Sequence, residues 1–162
     1  MRVVAWTPHP DPARLTSPAQ RFVSLGELMA TSDVVSLHLM LTDETRGLIG
    51  EPLLRTLKPG ALLVNTARAE LIASGALTAV LADGQIAAAL DVFETEPLAA
   101  GSPLRGLPNV ILSPHQGYNT PESLDRMLDA VVANIENYLA GRPASIVAGP
   151  RYLAEADGAH QA

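Results

Sequence analysis

Arg68, Glu96 and His115 are the residues of this chain whose types and spacing could do chemistry together. Each lies a few residues beyond the end of a short apolar run, which indicates a buried β-strand. Because open parallel sheets bind ligands beyond the carboxyl ends of their strands, we expect the three side chains to project into one crevice. A cation, a carboxylate and an imidazole in one crevice form the combination that oxidation of a 2-hydroxy acid requires.

The predicted strands alternate with stretches of helical periodicity, which is the pattern of βαβ units around a parallel sheet. They span Arg2 to Trp6, Val34 to Leu39, Leu62 to Thr66, Ile86 to Val92 and Val110 to Leu112. Most are nearly continuous in Val, Ile, Leu and Ala, which favours a sheet covered on both faces. The sequence therefore predicts an α/β fold with a parallel sheet.

Capping signals predict helices between and after these strands. They are Leu25 to Ala30 behind a Ser24 and Glu27 capping box, a helix through Leu53, Leu54 and Leu57 that ends at Lys58-Pro59-Gly60, a helix capped by Ser74 that runs to Asp83-Gly84, and one from Thr120-Pro121 to Gly141. The last helix has a continuous apolar face from Leu124 to Leu139, and we expect that face to pack in the core.

Composition argues against several classes of partner. The net charge of −6 without a Lys/Arg cluster makes nucleic acid and anionic membranes poor partners. No cysteine is present and the four histidines are scattered, so we expect no metal site. No run reaches membrane-spanning length and the N-terminal apolar stretch is too short for a signal peptide, which predicts a cytoplasmic protein.

Four segments resemble the motifs of one enzyme family. They are SDVVSLHL at 32–39, KPGALLVNTAR at 58–68, ALDVFETEPL at 89–98 and LPNVILSPH at 107–115. In this order and spacing they are similar to the D-isomer-specific 2-hydroxyacid dehydrogenases, the group that contains phosphoglycerate and formate dehydrogenases. The resemblance implies a Rossmann-type fold, with residues 1–143 forming a partial dinucleotide-binding domain. The small, polar composition of the chain end predicts that residues 144–162 form a poorly ordered C-terminal tail.

The resemblance also implies roles for the three catalytic candidates. Arg68 would clamp the substrate carboxylate and carbonyl with its planar guanidinium. His115 would be the acid/base that exchanges a proton with the substrate hydroxyl. Glu96 would hydrogen-bond the far ring nitrogen of His115 and fix its tautomer. Glu94, two residues before Glu96, is expected to be an exposed residue without a role in the site.

By the same resemblance, the cofactor is NAD or NADP. The implied contact residues are Thr7, Leu39, Thr66, Ala67, Asp91 and Gly117. Asp91 matches the position that holds the nicotinamide carboxamide, although it could instead cap a helix or a turn. Thr7 stands where the family usually has an acidic residue that grips the adenosine ribose. Because no carboxylate stands at position 7 to repel the 2′-phosphate of NADP, the choice between NAD and NADP stays open.

The family's glycine-rich phosphate loop and the strand before it are absent from these 162 residues. That strand lies at the centre of a Rossmann-type sheet, between the second and fourth strands. Without it, the two apolar edges beside the gap either pair with each other in a rearranged sheet or attract partner strands.

The leading hypothesis is an NAD(P)-dependent oxidoreductase that acts on a small 2-hydroxy or 2-keto acid, in a homodimer as the resemblance implies. Two alternatives stay open. One is an inactive, truncated paralogue that keeps the motifs and binds no cofactor. The other is a nucleotide-sensing binding module, since the family also includes a transcriptional corepressor.

Overall fold

A computed structural model of the chain describes residues 1–17 and 20–146. The strands are β1 (Val3–Ala5), β2 (Gln20–Phe22), β3 (Val34–Leu37), β4 (Leu62–Asn65), β5 (Ala87–Leu90) and β6 (Val110–Leu112), and the α-helices are α1 (Leu25–Thr31), α2 (Glu51–Leu54), α3 (Ala76–Ala82) and α4 (Pro121–Leu139). Single 3₁₀ turns occupy Pro12–Arg14, Ala69–Leu71 and Pro103–Gly106. All five predicted strands are present, and the α/β class is confirmed.

The strands form two separate parallel sheets. One has the order β3-β4-β5-β6, and the other is the pair β1-β2. The edges of β1 and β3 do not pair with each other, so the rearranged single sheet considered above is not formed. The sequence analysis missed β2, because its three residues include a glutamine and an arginine and form no apolar run.

Register brings the carboxyl ends of the four-stranded sheet to one edge. Leu37 pairs with Asn65, Asn65 with Leu90, and Leu90 with Leu112, each at the last residue of its strand. The loops that follow β4, β5 and β6 therefore start side by side. Those loops carry Arg68, Glu96 and His115.

One face of this sheet forms the core and the other is open. Leu63 is fully buried and Leu90 nearly so, and both belong to the cluster that includes Met29 of α1, Leu54 of α2 and Val80 of α3. On the opposite face of the same strands the side chains are partly or largely exposed. The exposed fraction reaches 57% at Val34 and 71% at Ile111. The expectation of a sheet covered on both faces is wrong for the residues described.

The first two helices differ in how closely they match the prediction. At α1 only the Ser24 half of the predicted capping box is present, since the Ser24 hydroxyl accepts the Glu27 N–H at 3.1 Å, whereas the Glu27 carboxylate pairs with Arg21 at 2.7 Å. Helix α2 is shorter than predicted, because it ends at Leu54 and the chain to Leu57 forms turns.

The predicted Ser74 cap of α3 is wrong. Gly75 is the N-cap, with a φ of +74° that favours glycine. The Ser74 hydroxyl instead donates to Glu94 Oε2 at 2.8 Å. The exposed Glu94 therefore bonds to Ser74 at the start of α3. It does not take the place predicted for Glu96, which is the partner of His115.

Helix α4 belongs to a second compact unit, which begins at Tyr118. Its predicted start is confirmed, because Thr120 Oγ1 accepts the Ser123 N–H at 3.2 Å and Pro121 is the first helical residue. The chain leaves the helix through Gly141, which has a φ of +68°. The expectation that its apolar face is core is wrong. Leu128, for example, is 66% exposed, since the described part of this unit contains no other helix or strand to cover it.

No helix in residues 1–17 and 20–146 is long and apolar enough to cross a membrane. Most of the predicted C-terminal tail, including His160, lies outside the described residues.

The open and covered faces predict different responses to truncation. Leu63→Ala should lower the free energy of unfolding by about 2–5 kcal/mol, because it leaves a cavity in the core. Val34→Ala on the open face should change it by less than about 0.5 kcal/mol. Urea unfolding followed by far-UV circular dichroism measures both. Equal losses at the two positions would mean that the open face is covered in solution.

Candidate active site

Glu96 and His115 are in direct contact beyond the ends of β5 and β6. Glu96 Oε2 lies 2.7 Å from His115 Nδ1, and Glu96 Oε1 accepts the Phe93 N–H at 2.9 Å. The bond to His115, followed by the bond from Phe93, holds the pKa of Glu96 below its ordinary value. The carboxylate thus stays ionised next to the imidazole, and the contact predicted from the sequence is present.

His115 has a left-handed backbone conformation that is uncommon for a residue with a side chain. Its φ is +55°, and its N–H donates to Ser113 O at 3.1 Å. Such a conformation persists only where the surroundings hold it, at a cost of about 1–3 kcal/mol. The hydrogen bonds from the Gln116 and Gly117 N–H groups to Asp91 hold it in place.

Asp91 anchors the loop that carries His115. Its Oδ1 accepts the Gln116 N–H at 2.9 Å and its Oδ2 accepts the Gly117 N–H at 2.8 Å. A side chain at position 117 would put its Cβ only 3.1 Å from Asp91 Oδ2, so glycine allows this close approach. Asp91 therefore caps the turn after His115, which is the alternative role considered for it in the sequence.

Burial and hydrogen bonding act in opposite directions on Asp91. The residue is only 6% exposed, and this burial raises the pKa of its carboxyl group. Hydrogen bonds from the Ser113 hydroxyl and from the Gln116 and Gly117 amides outweigh burial, and the net pKa is lowered. The anchor is thus an ionised carboxylate at neutral pH.

Arg68 follows β4 on a turn that Asn65 fixes. The buried Asn65 side chain donates to Arg68 O at 2.9 Å and accepts the Ala67 N–H at 3.0 Å. The exposed guanidinium donates to Ala67 O at 2.7 Å, and no carboxylate pairs with it in the part of the chain that the structure describes. Arg68 is therefore available to an anionic ligand.

Asn65 and Ser113 are positioning residues that the sequence analysis missed. Asn65 is a polar residue at the end of an otherwise apolar strand, which is a signal that could have found it. Its backbone oxygen also accepts the Asp91 N–H at 3.0 Å. A continuous set of hydrogen bonds therefore joins the Arg68 turn, Asn65, Asp91 and the His115 loop.

The structure separates the cofactor candidates into two groups. Asp91 and Gly117 are in contact, and exposed Thr66 and half-buried Ala67 follow the neighbouring strand. Thr7 and Leu39 instead border a cavity of about 460 Å³ between β1 and β3. A second cavity, of about 580 Å³, is lined by Glu96 and His115 together with mainly apolar neighbours.

The other candidate residues do not form a site. His38 Nε2 is 2.9 Å from the Ser36 hydroxyl, and His9 is exposed. Within residues 1–17 and 20–146, no three His, Asp or Glu side chains are grouped so that they could hold a metal ion.

Comparison with known proteins identifies the family. The family model for the NAD binding domain of D-isomer specific 2-hydroxyacid dehydrogenases matches residues 1–117. The chain belongs to this family. A hydroxypyruvate reductase of Blautia hydrogenotrophica is 38% identical over 148 residues, which are 91% of this chain and 46% of the reductase. A glyoxylate reductase of Aeropyrum pernix is 47% identical over 120 residues, which are 74% of this chain and 36% of that enzyme.

A solved structure supports the same assignment. A protein of Thermus thermophilus superimposes with a TM-score of 0.80 and 41% sequence identity over 90% of this chain and 45% of its own. This dehydrogenase-family chain thus spans less than half the length of each of the proteins compared.

The Asp91 anchor predicts a distinct acid transition. A group whose pKa is lowered by folding stabilises the fold above its unfolded pKa, and the contribution is lost as the pH falls through the folded pKa. The Gln116 and Gly117 amide NMR signals should therefore shift together at a pH below the usual aspartate value of about 3.9.

Two carboxylate variants test the assignment of that transition. Asp91→Asn should abolish the shared shift, because an asparagine amide has no carboxyl group to take up a proton in this pH range. Glu94→Gln removes an exposed carboxylate that contacts Ser74 and should leave the shift unchanged. A shared midpoint above about 4 in the unmodified chain would contradict the anchor.

Proposed function

We propose that the protein containing this chain is an NAD(P)-dependent oxidoreductase that interconverts a small 2-hydroxy acid and its 2-keto acid. The observation that carries the proposal is the Glu96–His115 hydrogen bond at the sheet edge where the unpaired Arg68 also begins its turn. The names of the two curated relatives, a hydroxypyruvate reductase and a glyoxylate reductase, support a 2-keto acid as substrate.

His115 is the proposed acid/base. Because Nδ1 is engaged by Glu96, Nε2 is the ring nitrogen available to exchange a proton with the substrate. In the direction of reduction, His115 Nε2 donates a proton to the carbonyl oxygen as it becomes a hydroxyl. In the direction of oxidation, the same nitrogen accepts the hydroxyl proton. Glu96 keeps the ring in one orientation.

Arg68 is the proposed carboxylate clamp. A guanidinium offers two parallel N–H donors that match the two oxygens of a carboxylate. The hydrogen bonds from Asn65 to the backbone of residues 67 and 68 hold the base of the side chain. Asn65 therefore helps to orient the substrate only by holding Arg68 and takes no part in the reaction itself.

The residues present fit the nicotinamide end of a dinucleotide. The Asp91 carboxylate accepts the Gln116 and Gly117 N–H groups and a hydrogen bond from the Ser113 hydroxyl, which leaves one lone pair for the amide of a carboxamide. Thr66, Ala67 and Gly117 would contribute mainly backbone groups there, and Thr7 and Leu39 would contact the adenosine end. When bound, the nicotinamide ring supplies or accepts the hydride. Thr7 carries no charge, so both NAD and NADP are compatible with that end.

Further properties of the whole protein stay predictions. They are a division into a partial dinucleotide-binding domain at 1–143 and a tail at 144–162, a cytoplasmic location, and a homodimer. Small acids, rather than nucleic acids or membranes, are the proposed partners.

A chimera tests the proposed function directly. This chain replaces the matched region of the Aeropyrum pernix glyoxylate reductase, and NADH and NADPH oxidation is followed with glyoxylate, hydroxypyruvate and pyruvate. His115→Ala should lower kcat by about 10²- to 10⁴-fold, because general acid/base catalysis is lost, while cofactor affinity is retained.

Paired carboxylate variants supply the control for that chimera. Glu96→Gln should lower kcat, whereas Glu94→Gln, which changes the same chemical group two residues away, should not. A folded chimera that binds cofactor without turnover would favour the nucleotide-sensing module, and one that binds none would favour the inactive paralogue.

Arg68→Lys in the same chimera separates charge from geometry. Lysine keeps the positive charge and loses the bidentate donors, so kcat/KM should fall by at least about tenfold. The fall should be smaller for a substrate analogue in which an amide replaces the carboxylate. Unchanged kcat/KM for the acid would mean that Arg68 does not bind it.

A further inference from the structure

The loop that carries Glu96 is held by side chains rather than by backbone pairing. It comprises residues 92–101, between β5 and the 3₁₀ turn at Pro103–Gly106, and we name it the Glu96 loop. Within residues 1–17 and 20–146, no N–H of this loop donates to a backbone oxygen. Segments with few internal hydrogen bonds open readily, so the position of Glu96 depends on the side chains that bind the loop.

Two contacts hold the first half of the Glu96 loop. Glu94 Oε2 accepts the Ser74 hydroxyl at 2.8 Å, and Glu96 Oε1 accepts the Phe93 N–H at 2.9 Å. Neither contact reaches the residues after Glu96. In the part of the chain that the structure describes, residues 97–101 are bound by one side chain only, which is that of Arg105.

Arg105 binds two consecutive carbonyl groups of the Glu96 loop. Its Nε donates to Ala99 O at 3.0 Å, and its Nη2 donates to Leu98 O at 2.7 Å. A planar guanidinium presents its donors in a fixed arrangement, so one side chain holds two neighbouring peptide groups. Arg105 pairs with no carboxylate among the described residues, and nothing there competes for these two donors.

The backbone beneath Arg105 is attached to the sheet. Leu104 and Leu107, on either side of it, pack against the buried core. Asn109, directly before β6, donates through its side chain to two backbone oxygens of the segment from α3 to β5, at 2.9 and 2.7 Å. His115 follows the end of the same strand. Arg105 therefore connects the Glu96 loop to the element that also carries His115.

Arg105 borders the candidate site as well as the loop. It lines the cavity of about 580 Å³ together with Glu96 and His115. An exposed cation in this wall could also contact an anionic substrate directly. Its two printed hydrogen bonds, however, both go to the Glu96 loop, so the observations favour a role in holding that loop.

We propose that Arg105 is a positioning residue for the Glu96–His115 pair, because it clamps the Leu98 and Ala99 carbonyl groups and thereby keeps Glu96 within hydrogen-bonding distance of His115. The bond in question measures 2.7 Å, and a displacement of the loop by roughly 1 Å would break it. The effect of the clamp on turnover rests on the proposed function. Its effect on the Glu96–His115 contact does not.

NMR on the 162-residue chain tests the clamp without turnover. The hydrogen bond with His115 is the largest cause of the lowered pKa of Glu96. In Arg105→Ala the Glu96 carboxyl carbon should therefore titrate at a higher pH than in the unmodified chain, closer to the ordinary glutamate value of about 4.3. The Phe93 amide, which is bonded to Glu96, should exchange with water at least about threefold faster. If neither property changed, the proposal would be wrong.

Two further variants separate the clamp from the charge of Arg105. Arg105→Lys keeps the positive charge and loses the planar fork, so it should change both properties in the same direction as alanine. Arg46→Ala removes an exposed arginine whose side chain bonds to nothing in the described residues, and it should change neither. An Arg105→Lys chain that matched the unmodified chain, beside an altered Arg105→Ala chain, would show that charge acts instead of the clamp and would overturn the proposal.

The glyoxylate reductase chimera relates the clamp to turnover. Arg105→Ala should lower kcat by about tenfold and leave KM for the keto acid within about twofold, because Arg68 still binds the carboxylate. In a chimera that already carries Glu96→Ala, Arg105→Ala should lower kcat no further, since both changes act through one contact.

Two kinetic results would also overturn the proposal. A raised KM with unchanged kcat would make Arg105 a substrate-binding residue, and additive losses in the double variant would disconnect it from Glu96. A chimera without turnover would count against the proposed function alone, because the NMR measurements on the 162-residue chain need neither cofactor nor substrate.

Discussion

The Asp91 carboxylate is the interaction on which the candidate site depends. It joins the end of β5 to the loop after β6, because both of its oxygens accept backbone N–H groups from the two residues that follow His115. Without that anchor, the left-handed conformation of His115 would have no neighbour holding its C-terminal side. The Glu96 contact alone fixes the ring and not the backbone. Asp91 thus fixes the position of the His115 backbone, and Glu96 fixes the orientation of its ring.

Asp91 also connects the His115 loop to the Arg68 turn. The Asp91 N–H donates to the backbone oxygen of Asn65, and the Asn65 side chain holds the turn that precedes the Arg68 side chain. Every step of this path is a hydrogen bond to backbone, and both Asn65 and Asp91 are buried. Buried polar groups are costly when unpaired, so each member of the path constrains the next. The spacing between the backbones that carry the proposed carboxylate clamp, Arg68, and the proposed acid/base, His115, is therefore set by hydrogen bonds at the sheet edge.

Sequence predicted the parts of this arrangement that depend on local pattern. Apolar runs identified five strands, and their ends indicated where the candidate residues would lie. The roles of Asn65 and Asp91 as anchors depend on contacts between loops that are distant in sequence, which a periodicity cannot show. The burial of the α4 face was predicted wrongly because an amphipathic pattern indicates that a partner surface exists, without indicating that the described residues contain it.

The Glu96–His115 contact and the candidates Thr7 and Leu39 meet different physical requirements. Asp91, Glu96 and His115 are held by loops on β5 and β6, and those strands pair with each other in the four-stranded sheet. Thr7 and Leu39 each lie two residues beyond the end of their strand, Thr7 after β1 in one sheet and Leu39 after β3 in the other. The pairing within one sheet therefore positions the first group, whereas the separation of Thr7 from Leu39 depends on how the two sheets are placed.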